Sequence, residues 1–146
     1  MLDVRRSSSS GTSSRRLAFG FLNIRSLANK VDDLLEVRRD RAVDVLCLAE
    51  TWYDADSVCI RRLHSGGYRV VDRPRPHPSS ESSSMSTNHG GVAIASVPGV
   101  RLSTIILGVD SASFEMLCTR IVLESFISVV VVIYRPVSEA VTTVFF

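Results

Sequence analysis

No stretch of this sequence is long enough to cross a bilayer as a helix: the longest apolar run, FISVVVVIY at 126–134, stops far short of the roughly 20 residues required. Cysteine is scarce. Cys47, Cys59 and Cys118 are widely separated, odd in number and without a C-x-x-C pair, which argues against a disulfide framework or zinc knuckle and for reduced thiols in an intracellular setting, nuclear or cytoplasmic. The amino-terminal MLDVRRSSSSGTSSRR has no apolar centre and so is no secretory signal. Residues 1–16 read as a flexible polar lead-in, although Ser and Arg with a single acid also resemble an organelle transit peptide. A net charge of +2 names no partner. A length of 146 residues suits one hydrophobic core rather than two, and there is no internal repeat.

What is present reads as an α/β opening followed by a run of strands. LAFGFLN at 17–23 has the pattern of a short buried strand ending on a polar residue. A helical stripe follows through Leu27, Val31, Leu34 and Leu35, with Lys30, Asp32, Asp33, Arg38 and Arg39 on its polar face. VDVLCLA at 43–49 is nearly continuous in apolar residues, as expected of a strand covered on both faces. A shorter helix is expected over Asp56 to Leu63, broken by Gly66 and Gly67, and then a strand at YRVVDR, 68–73. The Pro- and Ser-rich stretch at about 74–89 reads as a mobile loop inside a domain. From Gly90 onward GGVAIAS, VRLSTIIL, SFEMLCTRI and SFISVVVVIY read as strands with short connections, most easily paired antiparallel.

In sheets covered on both faces, reactive side chains sit just beyond strand ends, because the strand interiors are needed for packing. Asn23 and Glu50 occupy such positions. If their strands are parallel neighbours, an amide oxygen and a carboxylate lie side by side and form a hard oxygen site suited to Mg²⁺; hydrogen-bonded caps at strand ends use the same residue types. Tyr134 closes the long valine run, where its hydroxyl is placed either to meet a phosphate or to serve as an amphipathic edge residue. Trp52 is a candidate for stacking on a nucleotide or for covering a strand end. Arg25, Arg69, Arg73 and Arg75 are candidates for meeting a DNA backbone, yet Asp54, Asp56 and Asp72 intermix with them and no continuous basic stripe forms. His64, His77 and His89 read as solvent-exposed side chains, and Cys47 as a small buried apolar group.

Taken in order, LNIRSL after the first strand, DVLCLAETW on the second, GGVAI after the loop, SFEMLCTRI and VVVVIYRP resemble the endonuclease/exonuclease/phosphatase family. The likeness runs from about Leu17 to Phe146 and is nearest the branch found in non-LTR (LINE-like) retrotransposons. The resemblance implies an αββα sandwich of four layers and Mg²⁺-dependent, or other divalent-cation-dependent, hydrolysis of phosphodiester bonds in DNA. It implies Glu50 as metal ligand with Asn23 beside it, Tyr134 close to the scissile phosphate and Glu115 in a supporting position. Arg25, Trp52 and Arg73 become candidate DNA contacts. A downstream reverse transcriptase is an implied partner and a membrane is not. A phosphatase of the same superfamily is an alternative within the resemblance.

The sequence also departs from that family. Water activation is expected of an Asp and an Asn in a G-D-F-N-like motif and of a later Asp-His pair. After Asp110 there is no Asp, after Asn88 no Asn and after His89 no His. The expectation is therefore an incomplete domain over 17–146 that lacks activity alone, since groups acting as a unit lose most of the rate gain together. A non-catalytic remnant or nucleic-acid-binding fragment is the competing expectation, as is an exposed apolar edge at the long valine strand.

Overall fold

The computed structural model describes residues 16–53, 57–75, 90–108, 113–124 and 126–136. Residues 1–15 of the lead-in, Asp54 and Asp56, the loop at 76–89 with His77 and His89, the side chain of Arg38 and the closing VSEAVTTVFF lie outside them. The described elements run β1 (Phe19–Asn23), α1 (Val31–Arg41), β2 (Val45–Ala49), α2 (Val58–Ser65), β3 (Arg69–Arg73), β4 (Val92–Ser96), β5 (Arg101–Thr104), β6 (Glu115–Leu123) and β7 (Phe126–Tyr134). Among them, no helix is long and apolar enough to cross a membrane.

One sheet has the order β1-β2-β4-β3 and the other β5-β6-β7. β1 and β2 are parallel, joined through α1, and the other pairings are antiparallel. β2 and β4 lie in the middle of the first sheet with every residue buried, which is why VLCLA and VAIAS carry no polar alternation. Leu46, Leu48, Ala93 and Ala95 face the helices and pack with Leu27, Val31, Leu34, Leu63 and Tyr68. Val45, Cys47, Ala49, Val92 and Ile94 face the second sheet and meet Leu117, Ile121, Leu123 and Val132. The chain is thus a mixed α/β fold built on two packed sheets, with its helices on the outer face of the first.

Local chemistry sets the element ends. The Ser57 side chain caps α2 by accepting from the Cys59 amide at 3.1 Å, satisfying one of the donors a helix start leaves over. Gly66 closes that helix, and Gly67 continues in the left-handed region at φ 88°, where glycine carries no steric cost. α2 therefore starts later than the expected Asp56.

Two expectations fail in an instructive way. The first strand forms but is not buried: Phe19 and Phe21 are 48% and 66% exposed. They share a face with Asn23 and look toward the second sheet, but β1 is an edge strand and the described part of the second sheet reaches only as far as β7, which packs under β2 and β4. The short connection between β4 and β5 also does not make a hairpin, because these strands belong to different sheets. A strand apolar on both faces is stabilised most at a sheet centre, and β4 takes that place between β2 and β3 while the Pro98-Gly99 turn carries the chain across to the second layer.

Candidate metal and phosphate site

The parallel register sets Asn23 beside Ala49, so β1 and β2 end at the same level. Beyond that level the two chains stay laced together: the amides of Ile24, Ser26 and Leu27 donate to the carbonyls of Ala49, Glu50 and Thr51 at 2.9, 2.8 and 3.0 Å. β4 begins at this same edge, and the Thr51 and Trp52 amides donate to the Gly91 and Gly90 carbonyls at 3.3 and 2.9 Å. In the second sheet Glu115, the first residue of β6, is paired with Tyr134, the last of β7. Ends of strands from both sheets therefore meet at one rim.

Strand alternation alone would turn Glu50 away from that rim. Ala49 faces the second sheet, so a continued strand would point residue 50 toward the helices, with Leu46 and Leu48. Instead Glu50 adopts a left-handed backbone, φ 55°, as does Trp52 at 49°. For residues other than glycine such conformations cost on the order of 1–3 kcal/mol and gather at functional sites. The kink swings the carboxylate to the side of Asn23 and Tyr134. Asn23 Nδ2 donates to Glu50 Oε1 at 2.9 Å and the Tyr134 hydroxyl donates to the same oxygen at 2.7 Å. Burial, then the bond to Glu50 and its negative charge, pushes the Tyr134 phenol up to about 12.

These three residues are the ones the sequence singles out, and they come together. Because the Asn23 amide spends its N–H on Glu50, its oxygen is the atom of that group suited to a cation. Among the described residues no group of three or more His, Cys, Asp or Glu gathers. One carboxylate and one amide oxygen nonetheless fit Mg²⁺, which keeps most of its waters and takes few protein ligands alongside phosphate oxygens.

Glu115 lies at the same rim. Its Oε2 accepts from the Gly91 amide at 2.6 Å and its Oε1 pairs with Arg75 Nε. Since Gly91 and Gly90 carry the chain that follows Glu50, Glu115 supports the kink from the second sheet. Of the candidate DNA contacts, Arg73 donates through Nη1 to the Met116 carbonyl at 3.2 Å and so ties the two sheets together. Arg25 is exposed on the loop after β1 with φ 46°, and Trp52 is half-buried just past Glu50. His64 is exposed with Nδ1 at 3.1 Å from the Tyr68 carbonyl. Cys47 is a buried free thiol, and burial pushes its pKa up, the opposite of an activated nucleophile.

Sequence reading missed the role of Lys30 and the pairing of Arg75 with Glu115. Lys30, assigned to the polar face of α1, instead donates to the carbonyls of Ile24 and Arg25 and holds the loop after Asn23. The roles of Gly90 and Gly91 were hidden as well. A glycine pair directly before an apolar strand was their one signal.

Residues 20–139 match the model of the Endonuclease/Exonuclease/phosphatase family, and the chain belongs to that family. No curated protein matches it. Among solved structures it is similar to the 3′ phosphatase NExo from Neisseria bound to product DNA hairpin, at 18% identity over 78% of this chain and 40% of that one, TM-score 0.49. It is also similar to an AP endonuclease from Archaeoglobus fulgidus, at 19% identity over 78% of this chain and 40% of that one, TM-score 0.48. The human Nocturnin catalytic domain with bound sulfate anion is similar at 15% identity over 77% of this chain and 45% of that one, TM-score 0.48. The chain thus spans less than half the length of these structures.

Proposed function

We propose that this chain carries the metal- and phosphate-holding half of a Mg²⁺-dependent DNA endonuclease site of the non-LTR retrotransposon type. The observation that carries the reading is the convergence of Asn23 and Tyr134, from different sheets, on one oxygen of Glu50. A divalent cation held by Glu50 and the Asn23 oxygen would supply Lewis-acid stabilisation of charge developing on a phosphodiester. Asn23 orients the Glu50 carboxylate, and Tyr134, protonated well above neutral pH, keeps a hydroxyl that can turn its donor from Glu50 to a phosphate oxygen. Glu115 holds the Gly90-Gly91 backbone against which Glu50 is set.

Orienting and deprotonating the attacking water needs other groups. No Asp follows Asp110 and no His follows His89 in these residues, and Glu50 cannot serve as ligand and base together. That observation favours a second reading for the 146 residues taken alone: a unit that binds metal and nucleic acid but does not hydrolyse. Target-site nicking, a reverse transcriptase partner and the unit's extent, 17–146 after a lead-in, belong to the proposal.

Nicking of supercoiled plasmid separates the readings. Mg²⁺-dependent nicking by the purified chain, lost in Glu50→Ala, would establish the nuclease and overturn the binding-only reading. No nicking, together with DNA binding whose affinity falls steeply with salt, is the result expected of the chain alone. Release of inorganic phosphate from a 3′-phosphorylated oligonucleotide without nicking would move the assignment to a phosphatase.

A further inference from the structure

Arg75 is a cation at the rim to which the proposed function gives no task. It follows β3 after Pro74, and its guanidinium reaches the second sheet to pair through Nε with Glu115 Oε1. Side-chain exposures of 33% and 16% place the pair partly out of water, where a charge-assisted bond holds its geometry well. Glu115 gives its other oxygen to the Gly91 amide, so its two oxygens serve separate partners and its grip on Arg75 runs through the ε nitrogen. The two terminal nitrogens of a guanidinium lie beyond that edge, and their planar fork matches phosphate oxygens.

Two further observations fix where the guanidinium sits. Gly90 has φ 147°, and a Cβ there would collide with the Arg75 Nε and Cζ and with Glu115 Oε1. The absence of a side chain at residue 90 is what lets the guanidinium lie against the backbone. Glu115 is also the direct cross-strand partner of Tyr134, and side chains so paired share a face. The Arg75 charge is felt at the Tyr134 phenol, where it opposes the upward shift. Arg75 thus pairs with the carboxylate that lies directly cross-strand from Tyr134, whose hydroxyl donates to Glu50.

We propose that Arg75, seated on Gly90 and braced by Glu115, is an oxyanion-binding residue that grips a phosphate oxygen at the Glu50–Tyr134 rim. The proposal deepens the phosphodiester reading of this site and adds what that reading lacks, a positive group of the protein itself beside two carboxylates. A purely structural ion pair would need only the ε nitrogen and would leave anion binding elsewhere.

The test is titration of the full chain, free of metal, with inorganic phosphate, followed by the amide resonances of Gly91 and the neighbouring backbone. A saturable shift is expected, weakened roughly tenfold or more in Arg75→Gln, the loss of one charge-assisted contact. It should be unchanged in Arg120→Gln, whose arginine is exposed on β6. Arg75→Lys keeps a cation for Glu115 and guards against a variant that fails to fold; weaker binding than wild type is expected there too. No saturable shift in the wild type, or equal binding by all three variants, would overturn the assignment. Loss of nicking or of metal binding would not alter this titration, so the two readings fail separately.

Discussion

Tyr134 donates its hydroxyl hydrogen to Glu50 Oε1 at 2.7 Å, across the junction of the two sheets. A nine-residue strand of one layer thus ends on a carboxylate presented by the other, and the rim stays assembled only while both layers stay packed.

The bond makes the phenol a reporter. Its pKa stands at about 12, against an ordinary 10.0, through burial and the Glu50 contact. The folded state holds this proton more tightly than the unfolded chain. The stability gained is therefore complete below pH 10 and is lost as pH rises toward 12. In metal-free protein, ultraviolet difference titration of wild type against Tyr134→Phe should show a tyrosine ionising near the raised value, and Glu50→Gln should bring it down. A phenol that titrates at its ordinary value in the wild type would mean that the contact does not persist in solution.

Gly91 is one point at which the backbone beside the Glu50 kink is sensitive to substitution. Its φ is 85°, and an added Cβ would come within 2.5 Å of the Thr51 hydroxyl oxygen, which is fully buried. Gly91→Ala should cost about 2 kcal/mol in urea unfolding, from left-handed backbone and crowding together. Gly99, also left-handed but with nothing within 4 Å of its Cβ position, should cost only the backbone part, about 1 kcal/mol, when changed to Ala.

The outer face of β7 sets the solution behaviour. Ile127, Val129, Val131 and Ile133 are exposed in alternation along an edge strand, Ile127 at 67%. Such edges pair with other chains unless charge interrupts them. Light scattering should show association that rises with concentration, and Val129→Lys with Val131→Lys should return the chain toward its 16.0 kDa monomer.

Much of this was readable before the structure, for local reasons. Unbroken apolar runs such as VLCLA named the buried strands, Gly66-Gly67 named a helix end, and the polar residues closing strands made Asn23, Glu50 and Tyr134 candidates that only the family resemblance singled out. What stayed hidden depended on long-range placement. Whether β1 is covered is decided by how far the second sheet extends, and β4 and β5 part company because a central position favours VAIAS. The left-handed turn at Glu50 leaves no mark in composition, and Arg75 finds Glu115 only after the loop from β3 and the start of β6 are brought together.

Glu50, with the Asn23 oxygen, is proposed to form a divalent-cation site at the junction of the sheets. Paramagnetic broadening by Mn²⁺, added well below one equivalent, tests it most directly. The expected result is selective broadening of the Asn23 side-chain amide and of backbone resonances around Glu50 and Gly91, reversed by excess Mg²⁺ and lost in Glu50→Gln. Broadening spread evenly over surface acids, or unchanged in Glu50→Gln, would contradict it.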